Sequence, residues 1–201
     1  MTVPDNPELD ISDELIAERR SDSHQLPPDM EPWMRGAITV IDTFSLWVGR
    51  LVCLLLIPML VSMVYEIIAR KFFVAPTLWA YDISRMTMGA MFMLGAAYAL
   101  MKGVHIRADF LYRLMSERNQ GRVDLALYLV FYFPSLGLFF WVTGEYALDA
   151  VRTGETSMDT AWMPILWPAR MAMPVGAAFL LIQGVSEILK CVYAIRKGRW
   201  P

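Results

Sequence analysis

The chain has 201 residues, 56% of them hydrophobic and 19% charged, with a net charge of −2 and a mean hydropathy of +0.40. So apolar a composition exceeds what a soluble domain of this length hides in one core. The charges crowd into the amino-terminal stretch, the helix ends and the short connections, which is the pattern of a chain dissolved in a bilayer. The slightly acidic balance excludes a nucleic-acid partner, because phosphate neutralisation needs a basic surface.

Residues 1–32 mix Asp5, Glu8, Asp10, Asp13, Glu14 and Glu18 with prolines and lack the basic start and apolar stretch of a cleavable signal. They read as a disordered cytoplasmic tail, with at most a short amphipathic helix around Asp10 to Arg20. Trp33, Ile38 and Ile41 then share one helical face, interrupted by Arg35 and Asp42, and predict an interfacial helix leading into lipid. The first span is expected over 46–68, since Leu51 to Tyr65 is uncharged and about 20 apolar residues cross ~30 Å of hydrocarbon. Arg50 and Glu66 lie near its ends and can snorkel, and Pro58, lacking a backbone donor, predicts a bend.

Pro76 marks a turn before a second span over 78–101. Its uncharged part, Met86 to Met101, is short, so the helix must begin ahead of Asp82 and Arg85 and set them at the interface or against protein. Gly89, Ala90, Gly95, Ala96, Ala97 and Ala99 recur along it and permit close approach of another helix. A basic connection from Lys102 to Arg122 leads to the third span, 123–144, with Pro134 as a candidate kink. Glu145 to Asp159 reads as a loop carrying Asp149, Arg152 and Glu155. Trp162, Pro164, Trp167 and Pro168 follow as an interfacial belt. The fourth span, 170–193, has Pro174 near its start and Gly176 and Gly184 on one face, and Arg196, Lys197 and Arg199 follow it.

The fold expected is therefore an all-α integral membrane protein: a tail over 1–32 and a four-helix membrane domain over 33–198. Arg35, the basic residues from Lys102 to Arg122, and Lys190, Arg196, Lys197 and Arg199 gather on one side, against Arg70, Lys71 and Arg152 on the other. Positive residues stay inside, so both termini are expected in the cytoplasm.

Reactive chemistry is sparse. Cys53 and Cys191 sit in apolar runs as small buried hydrophobes. The histidines, His24 and His105, fall in the tail and in a connection, where they supply no axial pair for a haem within the spans. No HExxH, CxxC or phosphate-cradling glycine loop occurs, so no catalytic, cofactor or metal site is expected and the chain does not read as an enzyme. A self-sufficient secondary transporter would place polar groups and broken helices at mid-membrane; here the span centres are Leu, Met, Phe, Gly and Ala. A passive role beside a larger partner follows. Two polar constellations remain. Trp79, Asp82 and Arg85 open the second span, with the two charges three residues apart on one face, as a local ion pair or as a contact to a partner subunit or lipid headgroup. His105, Arg107 and Asp109 follow the same helix, as a solvated loop or as a helix-capping or subunit-docking element.

These constellations and their flanks carry a family resemblance. Ala69-Arg70-Lys71-Phe72-Phe73, Pro76 to Arg85, Gly95 to Ala99, and Gly103 to Asp109 are similar in order and spacing to the small permease subunit of TRAP transporters, the DctQ family. Trp162 to Gln183 resembles the final helix of its longer members. The resemblance covers residues 35–198, and Trp79, Asp82, Arg85, His105 and Asp109 fall on matching places. The family usually carries Glu where Asp82 stands and often a second acid at the place of Tyr81. What the resemblance implies is a tripartite system of a periplasmic substrate-binding protein of the DctP type, a large permease subunit of the DctM type holding the substrate and sodium sites, and this chain. In such a system the small subunit is a stator beside an elevator-type transport domain that takes up a small organic acid such as a dicarboxylate. Faces around Gly89, Ala96 and Gly176 are then expected to supply packing surfaces, within this subunit or against the large one, and membrane lipid is the chain's remaining partner. The rival expectation is a structural anchor for an unrelated membrane complex.

Overall fold

The computed structural model describes residues 26–103 and 116–201. The expected tail, apart from its last residues, and the expected loop pair His105 and Asp109 lie outside the described residues. The chain forms α1 (Pro32–Cys53), α2 (Leu56–Phe72), α3 (Ala80–Met101), α4 (Glu117–Leu127), a π-helical turn (Tyr128–Tyr132), α5 (Phe133–Thr153) and α6 (Trp167–Lys197). Among the described residues there is no strand, only an isolated antiparallel bridge between Thr156 and Ile165. Four stretches are long and apolar enough to cross a membrane: Pro32–Phe72, Ala80–Met101, Glu117–Thr153 and Trp167–Lys197.

Prolines set where the long helices depart from regular geometry. Pro58 offers no N–H to the Leu54 carbonyl, which instead accepts from Ile57 N at 3.1 Å. The backbone tightens over Leu54–Leu55, and there α1 gives way to α2. The expected interfacial segment thus runs on into the first span as one 41-residue stretch. Pro134 acts on the third span in the opposite sense: the turn ahead of it widens, and Phe133 N reaches back to the Tyr128 carbonyl. Pro174 lies inside α6, which stays continuous. Gly154 and Gly198, both with positive φ, stop α5 and α6 in the left-handed conformation that favours glycine.

α6 is the central helix. It packs on α5, α3, α4 and α1, whereas α2 leans mainly on α3. Small residues make this possible. A Cβ at Gly176 would meet the Met93 carbonyl oxygen at 2.5 Å, and one at Gly184 would meet the Tyr132 ring at 2.6 Å. Gly49 of α1 lies as tightly against the Tyr98 ring of α3. Backbone in contact with a neighbouring helix gains the dispersion energy that drives association in lipid, where burial of apolar surface supplies no force of its own.

At the end of the bundle nearest the chain termini, Met30, Met34, Ile38 and Tyr193 form a small core with Leu26, Leu189 and Val192 against it. Asp29 fastens the rim: its carboxylate accepts from Tyr193 Oη at 3.1 Å and Arg199 Nη2 at 2.6 Å. Glu31 pairs with Arg196 at 3.0 Å. The hydrogen bond from Arg199 holds the Asp29 carboxyl below its ordinary pKa.

Candidate functional sites at the two ends of the bundle

At the end opposite the termini, residues 154–166 fold back over the helix ends as a hairpin-like loop. Ser157 N donates to the Pro164 carbonyl at 2.8 Å and Leu166 N to the Glu155 carbonyl at 3.0 Å. Arg170, one turn into α6, clamps the base of the loop by a two-pronged pair with Glu155, one arm at 2.7 Å. Its guanidinium lies 3.9 Å from the ring centre of Tyr146 on α5.

The loop closes over Asp82, whose carboxylate is fully buried in the first turn of α3, where the helix dipole favours a negative charge. Thr160 Oγ1 donates to Asp82 Oδ2. Arg85 lies 3.7 Å from Asp82 Oδ1 but only 2.6 Å from Asp159 Oδ2 on the loop, and its Nη2 donates to Ser157 Oγ at 3.4 Å. The local pair suggested by the three-residue spacing is present, yet the tighter partner of Arg85 comes from the loop. Asp82 Oδ1 is left without a hydrogen bond. Trp79 stands beside this cluster with its ring 5.5 Å from that of Tyr65 on α2. Just before it, Thr77 N donates at 2.7 Å to Glu66, which also takes Arg70 Nε at 2.9 Å. Glu66 therefore ties the end of α2 to the turn that leads into α3.

Of the small residues singled out, Gly176 is pressed against Met93, Ala96 is half-buried, and Gly89 faces open space.

A second polar cluster, nearer the termini, was not assembled by sequence reasoning. Ser45 Oγ donates at 2.6 Å to Gln183 Oε1, and Gln183 Nε2 donates at 2.9 Å to Asp42 Oδ1. Ser186 Oγ donates to the same Asp42 oxygen at 2.8 Å. Lys190 bridges two carboxylates, lying 3.0 Å from Asp42 and 2.8 Å from Glu187. Ser45, Gln183 and Ser186 are fully buried. The network joins α1 to α6 at one level of the bundle. The available signal was on the last helix, where Gln183, Ser186, Glu187 and Lys190 recur at spacings of three and four on one face of an otherwise apolar run.

Both clusters consist of ion pairs and hydrogen bonds that hold one element to another. Among the described residues no group of three or more His, Cys, Asp or Glu side chains gathers as a metal set would. Between the clusters, Ser62 and Thr143 are buried but return their hydroxyls to carbonyls of their own helices at 2.7 Å, and Tyr132 Oη donates across to the Leu180 carbonyl of α6 at 2.7 Å.

Such a bundle, with apolar spans and charge gathered at the two ends, defines a multi-pass helical membrane protein. Residues 59–193 match the family model of the tripartite ATP-independent periplasmic transporters, DctQ component, and the chain belongs to that family. It is accordingly a small membrane component of a transporter built with partner subunits, set in the inner membrane. No curated protein and no solved structure matches the chain.

Proposed function

We propose that this chain is the non-catalytic scaffold of its transporter, anchoring a large DctM-type permease subunit while that subunit, fed by a DctP-type periplasmic binding protein, takes up a small organic acid such as a dicarboxylate with sodium. The observation that carries this reading is the placement of polar groups among the described residues: the two clusters near the ends of the bundle hold one element to another, and Ser62 and Thr143 between them bond within their own helices. A rigid frame with an apolar exterior suits a stator in an elevator mechanism, in which one part must stay fixed in lipid while another moves. Asp82 and Arg85 serve in it by fixing the loop over the start of α3, Trp79 by its ring contact with Tyr65 of α2, and Gly176 by seating α6 on α3. Gly89 lies on the outside of α3, where a lipid chain or partner helix can approach, and half-buried Ala96 lies two turns further along the helix.

The orientation that goes with this reading places both termini in the cytoplasm. Arg35, Lys102, Arg118, Arg122, Arg196, Lys197 and Arg199 collect at the terminal end. At the other end Arg85 and Arg170 are held in ion pairs with acids of the loop.

Reconstitution tests the function. Vesicles holding the small subunit alone should accumulate no dicarboxylate under a sodium gradient, while the complete set of subunits should, and only with the gradient imposed. Uptake by this chain alone, or undiminished uptake by the large subunit and binding protein without it, overturns the scaffold role. A carboxyl-terminal reporter active only outside the cytoplasm overturns the orientation.

A further inference from the structure

Acids are in short supply at the terminal end of the bundle. Asp29 faces Arg199 and Lys197 together, Glu31 takes Arg196, and Asp42 and Glu187 share Lys190. Glu117 accepts from the backbone of Trp200 at 3.0 Å. Of the exposed cations that have no carboxylate beside them among the described residues, Arg35 and Lys102 stand singly, on α1 and at the end of α3. Arg118 and Arg122 instead lie one turn apart on the same face of α4. That helix is seated on α6 at Gly121, where a Cβ would meet the Cys191 carbonyl oxygen at 3.2 Å and the Ala194 Cβ at 3.4 Å. Arg118 reaches over Gly198, the residue that ends α6, and its Nε would lie 2.9 Å from a Cβ there.

Lipid headgroups do not reach the outer member of this pair. The uncharged run of the third span begins at Leu125, and Arg118 stands seven residues ahead of it, ~10 Å along the helix axis. The headgroup layer adds only about 5–8 Å on each side of the hydrocarbon. The chain itself holds the missing counter-charge. Residues 1–25, outside the described residues, carry seven acidic side chains against Arg19 and Arg20. Where they start from is fixed, because Leu26 packs on the core that contains Val192 and Tyr193, in the same turns of α6 on which α4 rests. The stretch from Glu18 to Leu26 can extend over ~26 Å, more than the about 10–12 Å width of the helix that it has to pass. Asp10, Glu14 and Glu18 also recur at the four-residue step that separates Arg118 from Arg122.

We propose that the acidic segment from Asp10 to Glu18 seats on the Arg118 and Arg122 face of α4, pairing its carboxylates with the two guanidinium groups. Exposed pairs of this kind are individually weak, but the tether holds the segment at an effective concentration in the millimolar range, so little energy per pair is needed. While seated, it covers cations that would otherwise gather acidic groups from other molecules at this end of the bundle. The contact goes beyond the scaffold reading and does not depend on it.

The test uses the full-length chain, with the subunits that accompany it, in nanodiscs of zwitterionic lipid. Ile11→benzoylphenylalanine sets a photo-crosslinker beside the acids, and adducts are mapped by peptide after illumination. They should fall on the peptide that holds Arg118 and Arg122, and should drop about tenfold or more in about 1 M salt, where the Debye length is ~3 Å. A chain with Asp10→Asn, Glu14→Gln and Glu18→Gln changes no described residue and should lose the adducts in the same way. Arg118→Glu with Arg122→Glu should abolish them, and Asp10→Lys with Glu14→Lys should restore them to that chain. Should the reversed arginines keep the chain from accumulating, the neutral acidic segment and the salt series decide alone. Adducts confined to lipid or to another subunit, or adducts that persist when the three acids are neutral, overturn the proposal.

Discussion

At the loop end, Arg85 and Asp159 keep 44% and 52% of their side-chain surface open, and their pairing fastens a connection onto helix ends. Near the termini the corresponding lysine, Lys190, keeps only 16%, and it sits between two carboxylates in a network that joins two long helices. The difference teaches where charge carries stability in this molecule. A screened pair on a loop contributes little, since water solvates either partner when the other leaves. A largely buried ammonium shared by two acids cannot be removed without leaving two like charges close together, with only the hydrogen bonds of Gln183 and Ser186 to Asp42 to offset them.

The comparison is broken most sharply by Lys190→Met. It strands Asp42 and Glu187 facing one another and should cost about 3–5 kcal/mol, seen as a large fall in the unfolding midpoint of the purified chain in detergent. Replacing Asp42, Glu187 and Lys190 together by apolar residues of similar size should recover only part of that loss, because buried Gln183 and Ser186 then lose the acceptor they share on Asp42. If the single change is harmless, the network does not hold α1 to α6.

The next effect belongs to the loop end. Asp82→Ala removes a fully buried acceptor and leaves Thr160 without its partner, and should cost about 1–3 kcal/mol. Unlike the lysine change, it should release the loop selectively, so that amides of residues 155–162 exchange faster while those of α6 near Gln183 do not. Equal loosening at both ends would mean that the clusters are not independent. Asp159→Asn is smaller still. Its carboxylate is half exposed, Arg85 retains Asp82 at 3.7 Å, and the change should stay within about 1 kcal/mol.

The sequence made the spans legible because hydropathy is summed over some twenty positions and survives errors at any one. The pairing of Asp82 with Arg85 was legible too, since helical spacing puts them on one face. What could not be read was which partner lies closer. Asp159 and Thr160 reach the cluster from more than seventy residues away, and nothing in their local pattern points to α3. The buried network was hidden for the same reason from the side of Asp42, which looks like a charge interrupting an interfacial face. Lys190 was counted among the positive residues that set orientation, although its charge is absorbed by Asp42 and Glu187 inside the bundle. Helical spacing alone cannot tell a polar stripe that faces water from one that faces another helix. Gly49 and Gly176 show the same limit: a glycine in a span signals close approach without saying what approaches.

The smallest effect sharpens the comparison from the terminal end, where Asp29 is exposed enough to titrate with the solvent. Its carboxyl is held below the ordinary value of 3.8, first by the hydrogen bond from Arg199 and then by that from Tyr193. A depressed folded-state value means that protons bind more readily once the latch is open. Its contribution is therefore complete above the ordinary value and is lost as the pH falls below it and through the folded value. Asp29→Asn fixes the latch in its uncharged form, so it separates this titration from that of the other carboxylates. At neutral pH the variant should show faster amide exchange around Met30 and Met34, and on acidification the difference from the unaltered chain should shrink to nothing. A difference that persists at the acid limit would assign the effect of the substitution to packing rather than to the charge of Asp29.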